Sequence, residues 1–411
     1  PATEAAREAH EGELLAPAGP FTVTNTYTTN TYAEIGLAAG TTPLIAPTEV
    51  EDAQTGDVAG VAAQNAARAI TLDDGASANY TGNAKNTPLP WLSKTNPIRV
   101  GAPVTFTGPV ILEYRNNLWK FQPTSQITGD GSSTATFENT RTDAPESVGG
   151  DLRIATFNVL NYFPTTGEEF VSSGLGSCTY YTDRDGNPIT VNSCTNNGPR
   201  GAANTVNLER QQAKIVAAIN KLGASIVSLE EIENSVQFGK DRDFALSKLV
   251  EALNAAAGEG TWAFAPSPAA ADLPTPAQED VIRTAFIYKP ADVELVGGSK
   301  VLIDETNFDN AREPLAQAFK PAGASDSKAF AVIVNHFKSK GSGFDDGTGQ
   351  GNANPDRVGQ AEALSTFADA FATERGLEAV FLTVVFNSYS IEDPMQVLYD
   401  DGYTQVESDT E

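Results

Sequence analysis

Four apolar runs in this chain end on side chains that a buried strand does not call for. IATFNV carries Asn158, and IVSLEEIEN carries Glu230, Glu231 and Glu233. VIVNHF carries Asn335 and His336, and LTVVFN ends on Asn387. A polar group buried without a partner costs on the order of a few kcal/mol, so each of these endings needs a reason. Strand ends of one sheet converge on a rim, and rims of this kind are where sites form. A hard cation such as Mg²⁺ takes carboxylate and amide oxygens, which an Asn and a Glu supply. Once bound, it polarises a phosphoryl oxygen and stabilises a leaving oxyanion. A histidine can donate a hydrogen bond to the transition state or shuttle a proton. Lys338 and Lys340, just after His336, would add local positive charge. The chemistry these types suit is phosphodiester hydrolysis. Taken singly, each has a plainer reading: Asn158 a turn cap, Glu231 a solvated strand end, His336 a satisfied structural histidine, the lysines ordinary surface. The case rests on their order along successive strands. His10 lies in the first twenty residues and is given no role.

The elements that must hold these residues follow from periodicity. LRIATFNV, SIVSLEE, RTAFIYK, AFAVIVNHF and AVFLTVVFN are apolar enough to be buried strands. Between them, Leu208, Ile215, Ile219 and Leu222 mark a helix stopped by Gly223. Leu246, Leu249, Val250 and Leu253 mark a second, stopped by Gly258. Leu364, Phe367, Ala368 and Phe371 mark a third, ended near Gly376. Strands interleaved with helices predict an α/β domain over 151–411. Residues 1–20 read as a ragged segment. Residues 21–128 read as a β-rich domain, with an Asn116-Asn117 hairpin turn. Residues 129–150 are small, polar and aperiodic, and read as a linker or edge segment.

The chain has 411 residues, enough for two or three domains. It begins at Pro1 and its only methionine is Met395, which reads as a trimmed product in which a missing signal segment says nothing about secretion. No apolar run approaches the roughly 20 residues of a membrane span. Acidic residues outnumber basic ones 53 to 27, for a formal charge of −26. Such a chain repels nucleic acid at long range, so any such partner needs bridging cations and a local basic patch. Cys178 and Cys194 bracket a short polar loop without a neighbouring His, a better disulfide than zinc site, which favours an oxidising compartment. Asp183, Asp185 and Asn187 alternate like the start of a calcium loop, but no glutamate completes it, and an Asp-Gly turn is the stronger reading. The glycines of 343–357 lack the spacing and lysine of a phosphate-binding loop.

TFNVLNYF, RGAANTVNLERQQAKIVAAI, LEEIEN, RTAFIYKP, VNHFKSKG and FNSYSIEDP occur in that order. Together they resemble the extracellular endonuclease branch of the endonuclease/exonuclease/phosphatase superfamily, whose catalytic domain is DNase I-like. The resemblance covers about 151–411. It implies a four-layer α/β sandwich preceded by a smaller β-rich, OB-like domain. It also implies a secreted bacterial enzyme, monomeric, cleaving DNA or RNA with Mg²⁺, Ca²⁺ or Mn²⁺. By motif position, Asn158 and Glu231 are the implied metal pair. His336 is the implied histidine at the scissile phosphate, and Asn387 the asparagine of a Gly-Asp-Phe-Asn motif. Arg200, Arg210 and Arg283 sit in motifs implied to line the cleft, beside Lys338 and Lys340.

Two departures bear on activity. The Gly-Asp-Phe-Asn motif is Val384-Val385-Phe386-Asn387 here, and Val385 has no oxygen with which to position water. The sequence also stops at Glu411 without the Asp-His motif that closes such domains. Each such group contributes roughly 10²–10⁴-fold, so impaired catalysis is expected. Two alternatives stay open: a phosphatase or phospholipase of the same superfamily, and a non-catalytic nucleic-acid-binding or adhesion protein on the same fold.

Overall fold

The computed structural model describes residues 3–406, which form two compact units, one up to Asp143 and one from Ala144. The implied end of the catalytic domain at Glu411 lies outside the described residues.

In the first unit, eight strands form one sheet: β1 (Leu14–Leu15), β2 (Phe21–Asn25), β3 (Ile35–Ala39), β4 (Ala69–Leu72), β5 (Pro103–Phe106), β6 (Val110–Arg115), β7 (Leu118–Pro123) and β8 (Ala135–Phe137). Their order is β1-β6-β7-β4-β3-β2-β5-β8. The β4–β7 pair is parallel and the others antiparallel. β1 runs within a few residues into β2, yet the two sit far apart in that order, so the sheet must curl. Its inside is filled by Val23, Leu37, Leu72, Leu112, Trp119 and Phe121. The expected Asn-Asn hairpin is present: Arg115 pairs with Leu118, and Asn116 and Asn117 have φ of +55° and +62°. Two segments depart from expectation. Residues 1–20 are not a loose start. β1 pairs with β6, Trp119 donates its indole N–H to Glu4 at 2.9 Å, and Arg7 donates to the Ala67 carbonyl at 2.8 Å. Within 129–150, β8 forms the edge strand on β5, and the buried Trp91 indole donates to the carbonyls of Gly131 and Ala135. Both segments are recruited because large aromatic side chains would otherwise bury an N–H without a partner.

In the second unit, β9 (Ile154–Tyr162), β12 (Ile226–Glu233), β13 (Ala263–Phe264) and β14 (Ile282–Tyr288) form one sheet, in order β13-β14-β12-β9. β15 (Val293–Val301), β16 (Arg312–Pro321), β17 (Phe330–His336) and β18 (Val380–Val385) form a second, in that order. The helices Thr205–Leu222 and Phe244–Ala257 cover the first sheet, packing Ile215, Ile219, Leu246, Leu249 and Leu253 on Val227, Leu229 and Ile287. The helices Asn354–Arg375 and Asp393–Asp400 cover the second, with Leu364, Phe367 and Phe371 on Ala331 and Ile333. Ile226, Phe286, Leu315, Phe319, Val332 and Val334 fill the space between the sheets. Helices, sheet, sheet, helices: this is the expected four-layer α/β sandwich. All three helices stop where expected, at Gly223, Gly258 and Gly376. β10 (Cys178–Thr182) and β11 (Pro188–Cys194) form a separate hairpin closed by the Cys178–Cys194 disulfide. No helix among the described residues is long and apolar enough to cross a membrane.

Candidate active site

Alternation along the strands decides which residues meet. In β12, Val227 and Leu229 face the helices while Ile226, Ser228 and Glu230 face the other sheet. In β17, Ile333 faces the helices, and Val332, Val334 and therefore His336 face the first sheet. The Ser228 and Thr383 hydroxyls, 2.5 Å apart, tie the sheets together below this level. Glu230 and His336 thus look into the same gap from opposite sides, near its rim. Asn335 falls on the other face, where its amide donates to Ile333 O at 3.1 Å.

On the first sheet the ladder breaks at the rim. Glu230 pairs with Asn158, but the next pair is Ile232 with Tyr162, so Glu231 bulges out of β12 and 159–161 bulge out of β9. Glu231, Leu160 and Asn161 all have φ between +51° and +61°. Such backbone costs on the order of 1–3 kcal/mol per residue in a non-glycine and clusters at functional sites. Asn158 Oδ1 accepts from Leu160 N at 2.8 Å, which fixes the turn. The buried Oε2 atoms of Glu230 and Glu231 have no hydrogen-bond partner. Glu230 is fully buried; Thr156 Oγ1 donates to it at 2.6 Å, and burial pushes its carboxyl up to about 7.

On the second sheet, Arg312, His336 and Val385 form one row across β16, β17 and β18. Arg312 Nη2 and Asn387 Nδ2 both donate to Phe337 O, at 3.0 and 2.9 Å, fixing the backbone just after His336. Asn387 holds φ of +52° to do so. Burial, then the Arg312 charge, pushes His336 down to about 3, so the ring is neutral at physiological pH. Its Nδ1 is buried without a partner. Arg312 is itself pushed down to about 10 by burial, and it feels Asp280 and Glu231 as favourable charges. It couples the two sheets electrostatically.

Asn158 and Glu231 are the expected metal donors. Glu231 offers a buried carboxylate oxygen with nothing bound to it, and the amide oxygen of Asn158 is on the neighbouring strand. No group of three His, Cys, Asp or Glu among the described residues could hold a metal. A two-ligand site suits Mg²⁺, which keeps several waters and takes its other ligands from substrate phosphate.

No protein-family model and no curated protein matches this chain. Solved structures with partial similarity include the human Nocturnin catalytic domain with bound sulfate, at 18% identity and TM-score 0.30 over 46% of this chain and 60% of that one. An endonuclease/exonuclease/phosphatase family protein from Bacteroides thetaiotaomicron gives 15% and 0.32 over 48% and 63%. Sphingomyelinase C from Streptomyces griseocarneus gives 18% and 0.31 over 47% and 62%. The alignments thus span under two thirds of each of these chains.

The remaining expected residues scatter. Arg200 holds Asp280 in a two-point pair at 2.6 and 3.1 Å and is close enough to Arg312 to depress it. Lys338 Nζ donates to Ser342 Oγ at 2.9 Å. Lys340 is bound to both oxygens of the buried Glu392 at 2.6 Å. Arg210 is exposed on the Thr205–Leu222 helix. Arg283 is not open to a phosphate. It is buried, donates to Asp243 Oδ1 at 2.9 Å and to the Arg242 and Thr284 carbonyls, and serves the packing of the first sheet. Asp183 accepts from Asp185 N and Asn187 N in the β10–β11 turn, as an Asp-Gly turn requires. Sequence reasoning missed Arg312 and Asp280. Arg312 opens the apolar run REPLAQAF rather than closing it. β16 runs antiparallel to β17, so its start lies at the rim where β17 ends.

Proposed function

We propose that this chain is built to hydrolyse phosphodiester bonds of nucleic acid, DNA first, with a divalent cation on Asn158 and Glu231, and that Val385 impairs it. The observation that carries this reading is the convergence of Glu231, Arg312, His336 and Asn387 on one rim, from both sheets. When bound, Mg²⁺ would polarise the phosphoryl group and take up charge on the leaving oxygen. Arg312 stays protonated near neutral pH and supplies a fixed positive charge for the phosphate. His336, held near 3, is too weak a base to accept a proton at pH 7; a neutral imidazole there serves as a hydrogen-bond donor to a phosphoryl oxygen. Asn387 fixes the peptide after His336 and so positions the ring. Val385, beside His336 in the ladder, offers no oxygen to orient water. The disulfide supports export to an oxidising compartment.

The test is plasmid nicking with Mg²⁺, Mn²⁺, Ca²⁺ or EDTA, comparing the chain as it is with Val385→Asp and with Val385→Asp combined with Glu231→Gln. The expected result is nicking that rises at least about tenfold with Val385→Asp. It should stop with EDTA and fall back when Glu231→Gln is added. Folded Val385→Asp protein that nicks no DNA, yet releases phosphate from small monoesters, would move the assignment to a phosphatase. Inactivity toward both substrates would leave a binding protein.

A further inference from the structure

We propose that a cavity in the first unit binds neutral carbohydrate. The cavity measures about 810 Å³, within the roughly 300–1,000 Å³ typical of small-molecule sites. Its polar groups are built in. Lys120 is almost fully buried at its inner side, and its ammonium is taken up by Glu34 and by Asp73, the latter at 2.9 Å. Both carboxylates keep some exposure, 15% and 11%, so they present acceptors to the cavity while the cation behind them is spent. Asp73 is held by the Gly75 N–H at 2.9 Å. The following loop is held by Asp74, which accepts from Ala76 N and from the Tyr80 hydroxyl. On another side lies the β6–β7 turn, with Asn116 fixed at positive φ.

Three ligand classes can be compared on charge. A polyphosphate would meet one exposed cation, Arg115, itself 3.8 Å from Glu113, against two carboxylates, on a chain of net charge −26. An apolar ligand would have to desolvate the Lys120–Glu34–Asp73 group without replacing its hydrogen bonds. A neutral polyhydroxyl ligand meets neither cost. Each hydroxyl both donates and accepts, matching the carboxylates, the Gln122 amide and the NH₂ of Asn79, whose oxygen accepts from Thr81. The half-exposed Tyr32 ring offers a face for the C–H side of a sugar.

The experiment is calorimetric titration of the full chain with maltohexaose, cellohexaose and chitohexaose, and with a short oligothymidylate. The same titrations are run on Tyr32→Ala and Asn79→Ala, each checked for an unchanged melting profile. At least one saccharide is expected to bind, and Tyr32→Ala or Asn79→Ala to weaken it about tenfold or more, about 1.4 kcal/mol. Plasmid nicking by the same variants should not change, so a failure here is separate from a failure of the nuclease reading. Binding of none of the three saccharides overturns the proposal. So does saccharide binding indifferent to both variants, or oligothymidylate binding that Tyr32→Ala abolishes.

Discussion

Glu230 is fully buried, keeps one carboxylate oxygen without a partner, and titrates near 7 instead of its ordinary 4.5. Between those two values the folded chain holds a proton that the unfolded chain has released. Wild-type stability therefore falls as pH rises from about 4.5 to 7, by on the order of 3 kcal/mol. Glu230→Gln has no such proton to lose. Measured by urea unfolding in EDTA, the variant should gain on the wild type between pH 5 and pH 8. An unchanged gap would mean that Glu230 does not titrate in this range. The position of Asn158, Glu231, His336 and Asn387 at strand ends was legible in the sequence because each interrupts an apolar run. Arg283 was misjudged for the converse reason: an arginine inside a strand-like motif reads as functional, but only the tertiary structure supplies the Asp243 that neutralises it.

At the scale of elements, the site depends on paired bulges in β9 and β12. Glu231 sits in the left-handed region, which glycine accepts at no steric cost and alanine does not. Glu231→Gly should therefore melt at least as high as wild type while losing cleavage, and Glu231→Ala should melt lower than Glu231→Gly. Equal melting of the two would remove backbone strain from the account. Period and stop signals were enough to read the three long helices. The bulges were not legible, because a one-residue slip in a ladder leaves no mark on composition. Arg312 escaped for a related reason: strand direction decides which end of a strand reaches the rim, and an apolar pattern carries no direction. β1 and β8 escaped because short edge strands are recruited by their neighbours' needs rather than by their own propensity.

For the molecule as a whole, charge sets the terms of substrate binding. A nuclease that releases many counterions loses roughly 10³–10⁵ in affinity between 50 and 200 mM salt. With a formal charge of −26, this chain should show a much shallower dependence, under about tenfold over that range, and a stronger dependence on divalent cation. Filter binding of a labelled duplex with Glu231 intact would show it; a steep monovalent-salt slope would point to a local basic patch. The change of pattern near residue 150 lies close to the division between the two units at Asp143, but the two segments set aside as loose are stitched into the first unit's sheet.

The same charge bears on how the protein behaves in a tube. Among the described residues β18 pairs on one side only, with β17, and Phe381 on it is 42% exposed. An edge strand can template a neighbouring copy, and mutual repulsion between highly charged copies opposes that. That repulsion vanishes near the isoelectric point of about 4.4. Turbidity should therefore rise sharply as concentrated protein is brought toward pH 4.4. Phe381→Lys, which adds a charge on that strand and gives up the ring contact with Phe330, should hold the solution clear to lower pH. If so, acidic storage and acid elution are to be avoided.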